Sequence, residues 1–215
     1  MNLLTKTRRL NRLLQRSDGQ HVNFMEMAEV LRDTINANVY VLSRKGKVLG
    51  HAAAGFLESD EARRMLLLER RIPNEVNERL LKIEETTSIA DLVDSSKEEI
   101  IRLFEDPILM IIPIVGGGNR LGTLILARRH EPFVDDDLIL AEYGATIIGM
   151  EILRERTEEI EVEARNKAAV QVAVGSLSFS ELEAAEQIFD ELEGKEGLLV
   201  ASKIADRAGI TRSVI

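Results

Sequence analysis

The sequence predicts an α+β chain in which a sheet domain is followed by one long helix and a small helical head. Three observations carry that prediction. Two pairs of β-rich runs, 39–43 with 47–49 and 108–115 with 121–127, each close over a glycine-containing turn, the pattern of two antiparallel hairpins. From Asp135 nothing interrupts a helical pattern until about Gly175. The final stretch, "VASKIADRAGITRSVI" at 200–215, has the spacing of a helix-turn-helix.

Composition narrows the function classes. A chain of 215 residues allows one large or two small domains, and 45% hydrophobic residues suffice for a core. The lack of cysteine excludes disulfides and thiolate metal sites and fits a reducing cytoplasm. His21, His51 and His130 have no ligand spacing, so no metal site is expected. No apolar run approaches a membrane span, and residues 1–16 lack the apolar block of a signal peptide. A net charge of −9 argues against non-specific coating of nucleic acid, while leaving room for a local reading head.

In chain order, residues 2–15 form a helix with Leu3, Leu4, Leu10, Leu13 and Leu14 on one side and Lys6, Arg8, Arg9, Arg12 and Arg16 around the rest. Packing on its own domain, or a dimer contact, is preferred to a membrane surface. Asn23 and Glu26 have capping-box spacing ahead of a second helix that buries Phe24, Met27, Ala28, Leu31 and Ile35. After the first hairpin, Ser59 caps a helix through Arg70, Ile72-Pro73 breaks it, and a further helix runs to about Ile83. Residues 84–94 read as loop, and Ser95 or Ser96 caps a short helix to Phe104.

Between the strands of the second hairpin stands Gly116-Gly117-Gly118-Asn119-Arg120. Gly117 to Gly122 followed by Thr123 resembles a phosphate loop, but Thr123 stands where the lysine belongs, and strands flank both sides where a helix N-terminus is needed. The run is therefore read as a hairpin turn, and no catalytic residue is assigned. Asp135, Asp136 and Asp137 open the long helix, where carboxylates offset the macrodipole. Leu138, Ala141, Ala145, Ile148 and Ile152 form its core face, and residues 154–165 are highly charged. About 40 residues at 1.5 Å each give about 60 Å of helix, its first half in a core and its second polar. Ser178 and Glu181 form another capping box for a helix bearing Leu182, Ala185, Ile188, Phe189 and Leu192.

In the helix-turn-helix, Ile204, Ala208, Ile210 and Ile215 are the expected buried face, Gly209 takes the positive φ of the turn, and Thr211 caps the second helix. The chain stops about one turn into that helix, so the sequence is read as lacking a C-terminal end.

The segments "NFMEMAEVLRD", "VLSRKGKVLG", "PIVGGGNRLGTLILAR", "DDDLILAEYGATIIGMEILRE" and "GLLVASKIADRAGITRSVI" together resemble the CodY family of global transcriptional regulators of low-GC Gram-positive bacteria. The resemblance spans most of the chain. It implies a GAF effector-sensing domain over 1–155, a connecting helix over 156–176 and, over 177–215, a partial winged helix-turn-helix truncated before its wing. It further implies a cytoplasmic homodimer that binds operator DNA, mainly as a repressor. The implied effectors are isoleucine or another branched-chain amino acid, with GTP as a second.

For the effector, the resemblance implies Arg63, then Arg64, for the carboxylate, with Met65, Ile72 and Pro73 on the apolar side and Ser43 and Arg44 nearby. Ile72 replaces an aromatic residue of the family, and a one-residue length difference leaves Glu61 or Ala62 at the family's arginine position. Asp94-Ser95-Ser96-Lys97-Glu98 replaces an apolar wall, which removes burial worth about 25 cal/mol per Å² and weakens isoleucine binding. For DNA, the resemblance implies that Thr211, Arg212 and Ser213 enter the major groove while Ser202 and Lys203 touch phosphates. From Ser178 to Ile215 acidic residues outnumber basic ones eight to four, so these 215 residues are expected to bind operator weakly or not at all. Two alternative classes are a small-molecule sensor with a different effector that acts through protein contacts, and a nucleotide-handling enzyme using the glycine loop, which the missing lysine and the hairpin context disfavour.

Overall fold

The computed structural model describes residues 2–14, 23–54, 60–91, 100, 108–191 and 200–209, with side chains at all of these except 14, 61, 62, 191 and 208. The chain divides into two compact units, Met1–Arg156 and Thr157–Ile215, each treated by itself below.

Unit 1 begins with α1 (Leu3–Leu14) and α2 (Phe24–Ile35). The hairpin β1 (Asn38–Ser43) and β2 (Val48–Ala52) follows. Next, α3 (Asp60–Arg63) runs into a π-helix at Arg64–Glu69, and α4 (Asn74–Leu81) comes after. The short β3 (Thr87–Ser88) leads into a 3₁₀ turn, Ile89–Asp91. The long hairpin β4 (Ile108–Gly116) and β5 (Asn119–Arg128) precedes α5 (Asp135–Gly175). The five strands form one sheet in the order β2-β1-β5-β4-β3, antiparallel at each pairing.

The strands alternate between two buried faces because successive side chains point to opposite sides. Val39 and Val41 share one face with Leu10 and Leu13 of α1, Met27 and Leu31 of α2, and Leu140, Ile147 and Ile148 of α5. Tyr40 and Leu42 point to the other face, with Leu66, Ile72, Val76 and Leu80. Both faces are covered, so β4 and β5 read as nearly continuous apolar runs.

Several local expectations hold. Asn23 caps α2, its side-chain oxygen accepting from the Met25 N–H at 2.8 Å. Gly117 and Gly118, with φ of +56 and +74, make the two-residue turn between β4 and β5, so the glycine run is a hairpin connection. A β-carbon on Gly50 would stand 2.2 Å from the Phe24 carbonyl oxygen, which shows how closely α2 lies on β2.

Others are corrected. Leu4 is 57% exposed, because only the side of α1 carrying Leu10 and Leu13 meets the core. The helix expected through Arg70 becomes a π-helix from Arg64, ending with Arg70 in the left-handed region at φ 51. Residues 84–94 are not wholly loop, since Thr87 and Ser88 pair with Ile111 and Met110 as an edge strand. The expected cap at Ser59 and the short helix to Phe104 lie outside the described residues.

Of the three aspartates that open α5, Asp137 does more than offset a dipole. It is buried, and its Oδ2 accepts from Arg128 Nη2 at 2.7 Å and from the Val134 N–H at 3.3 Å, while Lys6 Nζ lies 3.8 Å from Oδ1. Arg128 also donates to the carbonyls of Glu131 (2.7 Å), Pro132 (2.6 Å) and Ile35 (3.2 Å) and stacks 4.1 Å from the centre of the Phe133 ring. The end of β5, the start of α5, the end of α2 and one residue of α1 thus converge on a single ion pair. Tyr143 adds a second tie, its hydroxyl donating to Asn11 of α1.

In unit 2, α5 continues to Gly175, and every side chain from 159 to 176 is exposed. The helices α6 (Phe179–Glu191) and α7 (Ala201–Ala208) pack through Ala184, Ile204 and Ala205. Ala184, rather than the expected Ala185, is the fully buried alanine, and Phe189, expected on the apolar face, is 74% exposed.

Replacing Asp137 with alanine leaves the Arg128 guanidinium buried without its counter-charge, which costs about 3–5 kcal/mol. Urea denaturation of Asp137→Ala is expected to show a clearly lower midpoint, with Asp137→Asn in between. A midpoint equal to that of the wild type would remove the pair from this role.

Candidate effector site and helical head

The residues singled out for effector binding fall on three adjacent pieces of unit 1. Ser43 ends β1 and accepts from the Lys47 N–H through its Oγ at 3.1 Å, closing the turn to β2. The Arg44 N–H donates to the Leu121 carbonyl at 2.8 Å, and the Ile72 N–H donates to the Gly46 carbonyl at 3.0 Å. Asn77 of α4 donates from Nδ2 to the Arg44 carbonyl at 3.0 Å, and its own N–H meets the Pro73 carbonyl at 3.0 Å. Four of the expected residues, Ser43, Arg44, Ile72 and Pro73, are thereby gathered around the β1–β2 turn. Of these Ile72 is fully buried, whereas Arg44 and Pro73 are exposed.

The π-helix brings in the rest. The Arg71 N–H donates to the Met65 carbonyl at 3.0 Å, and the Val48 N–H donates to the Arg70 carbonyl at 2.8 Å, so the end of the π-helix is laced to β2. Met65 is half-buried against the cluster that holds Tyr40, Leu66 and Ile72. Arg63, the last residue of α3, is half-buried. Arg64 is turned outward, paired with Glu69 at 3.2 Å with 64% of its side chain exposed. Residues 94–98, expected as the opposite wall, lie outside the described residues.

Sequence reading passed over several polar groups on this face. Asn38 and Tyr40 are both fully buried; Asn38 Oδ1 accepts from the Ala54 N–H at 2.6 Å and its Nδ2 donates to the Tyr40 hydroxyl at 3.3 Å. His51 stands directly opposite Tyr40 in the β1–β2 register. His51 Nδ1 and Asn77 Oδ1 are buried polar atoms with no hydrogen-bond partner among the described residues. Burial, and after it the nearby Arg70 charge, holds the His51 pKa below its ordinary value. The only available signal in the sequence was strand alternation, which puts Asn38, Tyr40 and His51 on one face but cannot show that they are enclosed.

Arg120, read as part of a turn, lies in β5 and reaches under α4. It donates to the carbonyls of Gly122 (2.6 Å), Leu80 (3.2 Å) and Ile83 and to Thr123 Oγ1 (3.0 Å), satisfying the carbonyl end of that helix. Burial lowers its pKa, yet a guanidinium stays charged. A groove of about 430 Å³ between β4, α5 and the segment before β3 is rimmed by Glu84, Glu85 and Glu142. That acidic rim has the wrong sign for a nucleotide's phosphates. Among the described residues no group of three or more His, Cys, Asp or Glu side chains could hold a metal, and no helix is long and apolar enough to cross a membrane.

In unit 2, Ser178 and Glu181 form the expected reciprocal cap. The Ser178 N–H and Oγ both donate to Glu181 Oε2, at 2.7 and 2.6 Å, and the Glu181 N–H returns to Ser178 Oγ at 3.4 Å. Helix α7 ends at Gly209, whose φ is 66 and whose N–H donates to the Ala205 carbonyl. Ser202 is half-buried and Lys203 exposed on α7. Thr211, Arg212 and Ser213 lie outside the described residues.

Comparison with known proteins adds the following. The CodY GAF-like domain family matches residues 2–176. The chain is 61% identical over 219 residues to the global transcriptional regulator CodY of Brevibacillus brevis, covering 100% of this chain and 84% of that protein. It is 58% identical to the protein of the same name from Shouchella clausii, with the same coverage. Among solved structures it resembles the cofactor-binding GAF domain of the nutrient sensor CodY from Clostridium difficile at 38% identity, with a TM-score of 0.48, covering 70% of this chain and 97% of that one. It also resembles the GAF domain of a phosphoenolpyruvate-protein phosphotransferase from Coxiella burnetii at 17% identity, with a TM-score of 0.53, covering 74% of this chain and 99% of that one, which shows the shared fold.

The hydrogen bonds from Ser178 hold the Glu181 carboxyl below the usual glutamate pKa. Its contribution to α6 is therefore complete above the unfolded value and is lost as pH falls through the lower, folded one. Helicity followed by circular dichroism during acid titration is expected to drop earlier in Ser178→Ala than in the wild type. Superimposable titrations would show that the cap does not hold α6.

Proposed function

The chain belongs to the CodY family, and on that premise we propose that it is a DNA-binding regulator of transcription whose first unit captures a small effector. The 1–155 segment is the effector-sensing GAF domain, 156–176 the connecting helix and 177–215 the DNA-contacting head. The observation that carries the reading is the gathering of Ser43, Arg44, Ile72 and Pro73 around one turn, beside an apolar cluster containing Met65. An aliphatic side chain buried against such a cluster contributes about 1.5–3 kcal/mol, and a charged end needs an arginine such as Arg63. A branched-chain amino acid, isoleucine first, fits both requirements. GTP is the candidate second effector, and the glycine turn is not its site because a hairpin offers no helix N-terminus to a phosphate.

Operator contacts are assigned to Ser202, Lys203, Thr211, Arg212 and Ser213, and the main outcome to repression in the cytoplasm without catalysis. Homodimerisation is supported by apolar side chains left uncovered on α5, among them Ile160 at 66% and Val172 at 74% exposure. An effector alters DNA binding only as far as it binds one arrangement of the dimer better than another. A second reading has one observation in its favour: Phe179 and Phe189 of α6 are 76% and 74% exposed, as a protein-contacting head would need.

Calorimetric titration with isoleucine, leucine, valine and GTP is expected to give saturable isoleucine binding that weakens at least 10-fold in Arg63→Ala, by loss of a charge-assisted pair worth about 1.5–3 kcal/mol. Fluorescence anisotropy on promoter fragments is expected to show tighter binding with isoleucine present, with Lys203→Ala reducing the salt slope by about 1. DNA affinity indifferent to every ligand would favour the protein-contact reading.

A further inference from the structure

Among the described residues, His51 is the one histidine placed on the effector face of the sheet. Its Cα partner in β1 is Tyr40, so the two side chains share the face that carries Met65, Leu66 and Ile72. The neighbouring polar groups are already engaged with one another. Asn38 Oδ1 takes the Ala54 N–H at 2.6 Å, and its Nδ2 donates to the Tyr40 hydroxyl at 3.3 Å. His51 Nδ1 is buried and has no hydrogen-bond partner among the described residues. Folded proteins seldom leave such an atom unpaired, and each exception calls for an explanation, a functional role among them.

Charge decides which end of a ligand this atom meets. Arg70 is the cation that bears on His51, and it is anchored by donating from Nη2 to the Leu49 carbonyl at 2.9 Å. A positive surrounding repels an ammonium and favours an anion. Burial and that same cation hold the His51 pKa below its ordinary value; a neutral imidazole carries one N–H, and in the tautomer that places it on Nδ1 this buried nitrogen is a donor. A carboxylate removed from water needs several donors, more than a single arginine supplies.

We propose that His51 is a specificity-determining residue of the effector site, its Nδ1–H donating to the carboxylate of the bound amino acid alongside Arg63. This rests on the reading that the effector is a small α-amino acid. It adds a donor from β2 to a site otherwise assigned to the turn, α3 and the π-helix.

The test uses the full chain in three forms: wild type, His51→Phe and His51→Asn. Phenylalanine keeps a ring and removes the donor, whereas the asparagine amide places a nitrogen near the position of Nδ1. Isoleucine affinity by calorimetry is expected to fall at least 10-fold in His51→Phe and to recover most of that loss in His51→Asn. In ¹⁵N-histidine-labelled protein, the His51 Nδ1 resonance, assigned by its disappearance in His51→Asn, is expected to move on adding isoleucine. Unchanged isoleucine affinity in His51→Phe overturns the proposal, as does a resonance that stays in place when isoleucine saturates the wild type. Failure of the wild type to bind any α-amino acid overturns the effector reading itself, and this inference with it. Wild-type binding with indifferent His51 variants overturns the inference alone.

Discussion

The ion pair between Arg128 and Asp137 is the constraint on which the arrangement of unit 1 depends. It forms where the last residue of the central hairpin meets the third residue of α5, and both partners are removed from water. Two buried charges are tolerable only when every lone pair and proton is used. Here most of them are, through three carbonyls, a backbone N–H and a second cation. Moving β5 or the start of α5 would strand a charge, so the start of the 41-residue helix is set relative to the sheet. The apolar face of that helix then completes the first core cluster against α1 and α2.

The other face of the sheet follows a different logic. It is lined by a π-helix, a short α4 and a turn, and these are joined by backbone hydrogen bonds rather than by one charge pair. A π-helix carries more residues per turn than an α-helix and marks functional segments in many proteins. The residue that caps it, Arg70, takes a left-handed conformation that costs a non-glycine residue energy, and the bonds to β2 hold it there. Polar atoms without partners among the described residues, at His51 and Asn77, occur on this side of the sheet. The first face is therefore built for rigidity, and the second holds unused polar capacity beside apolar surface.

In the second unit the balance shifts again. The small residues Ala184 and Ala205 let α6 and α7 approach closely, and Ile204 fills the seam. Large apolar side chains such as Phe179 and Phe189 remain in solvent. A pair of helices this small buries little surface of its own. Its capping box and its left-handed glycine accordingly carry a larger share of its order than they would in a larger domain.

Both hairpins, the uninterrupted length of α5, the caps at Asn23 and Ser178 and the turn at Gly209 were legible in the sequence. Each depends on interactions within a few residues, where spacing alone sets geometry. The family was legible too, through long stretches of matching residues. Tertiary structure alone decided that Asp137 is a buried partner of Arg128, that Arg120 closes the end of α4, that Arg64 faces solvent, and that His51 keeps an unpaired nitrogen beside Tyr40. Those outcomes depend on which distant segments exclude water from a given atom. Burial of a charge or a lone pair is a property of the enclosing surfaces, and no local pattern encodes it.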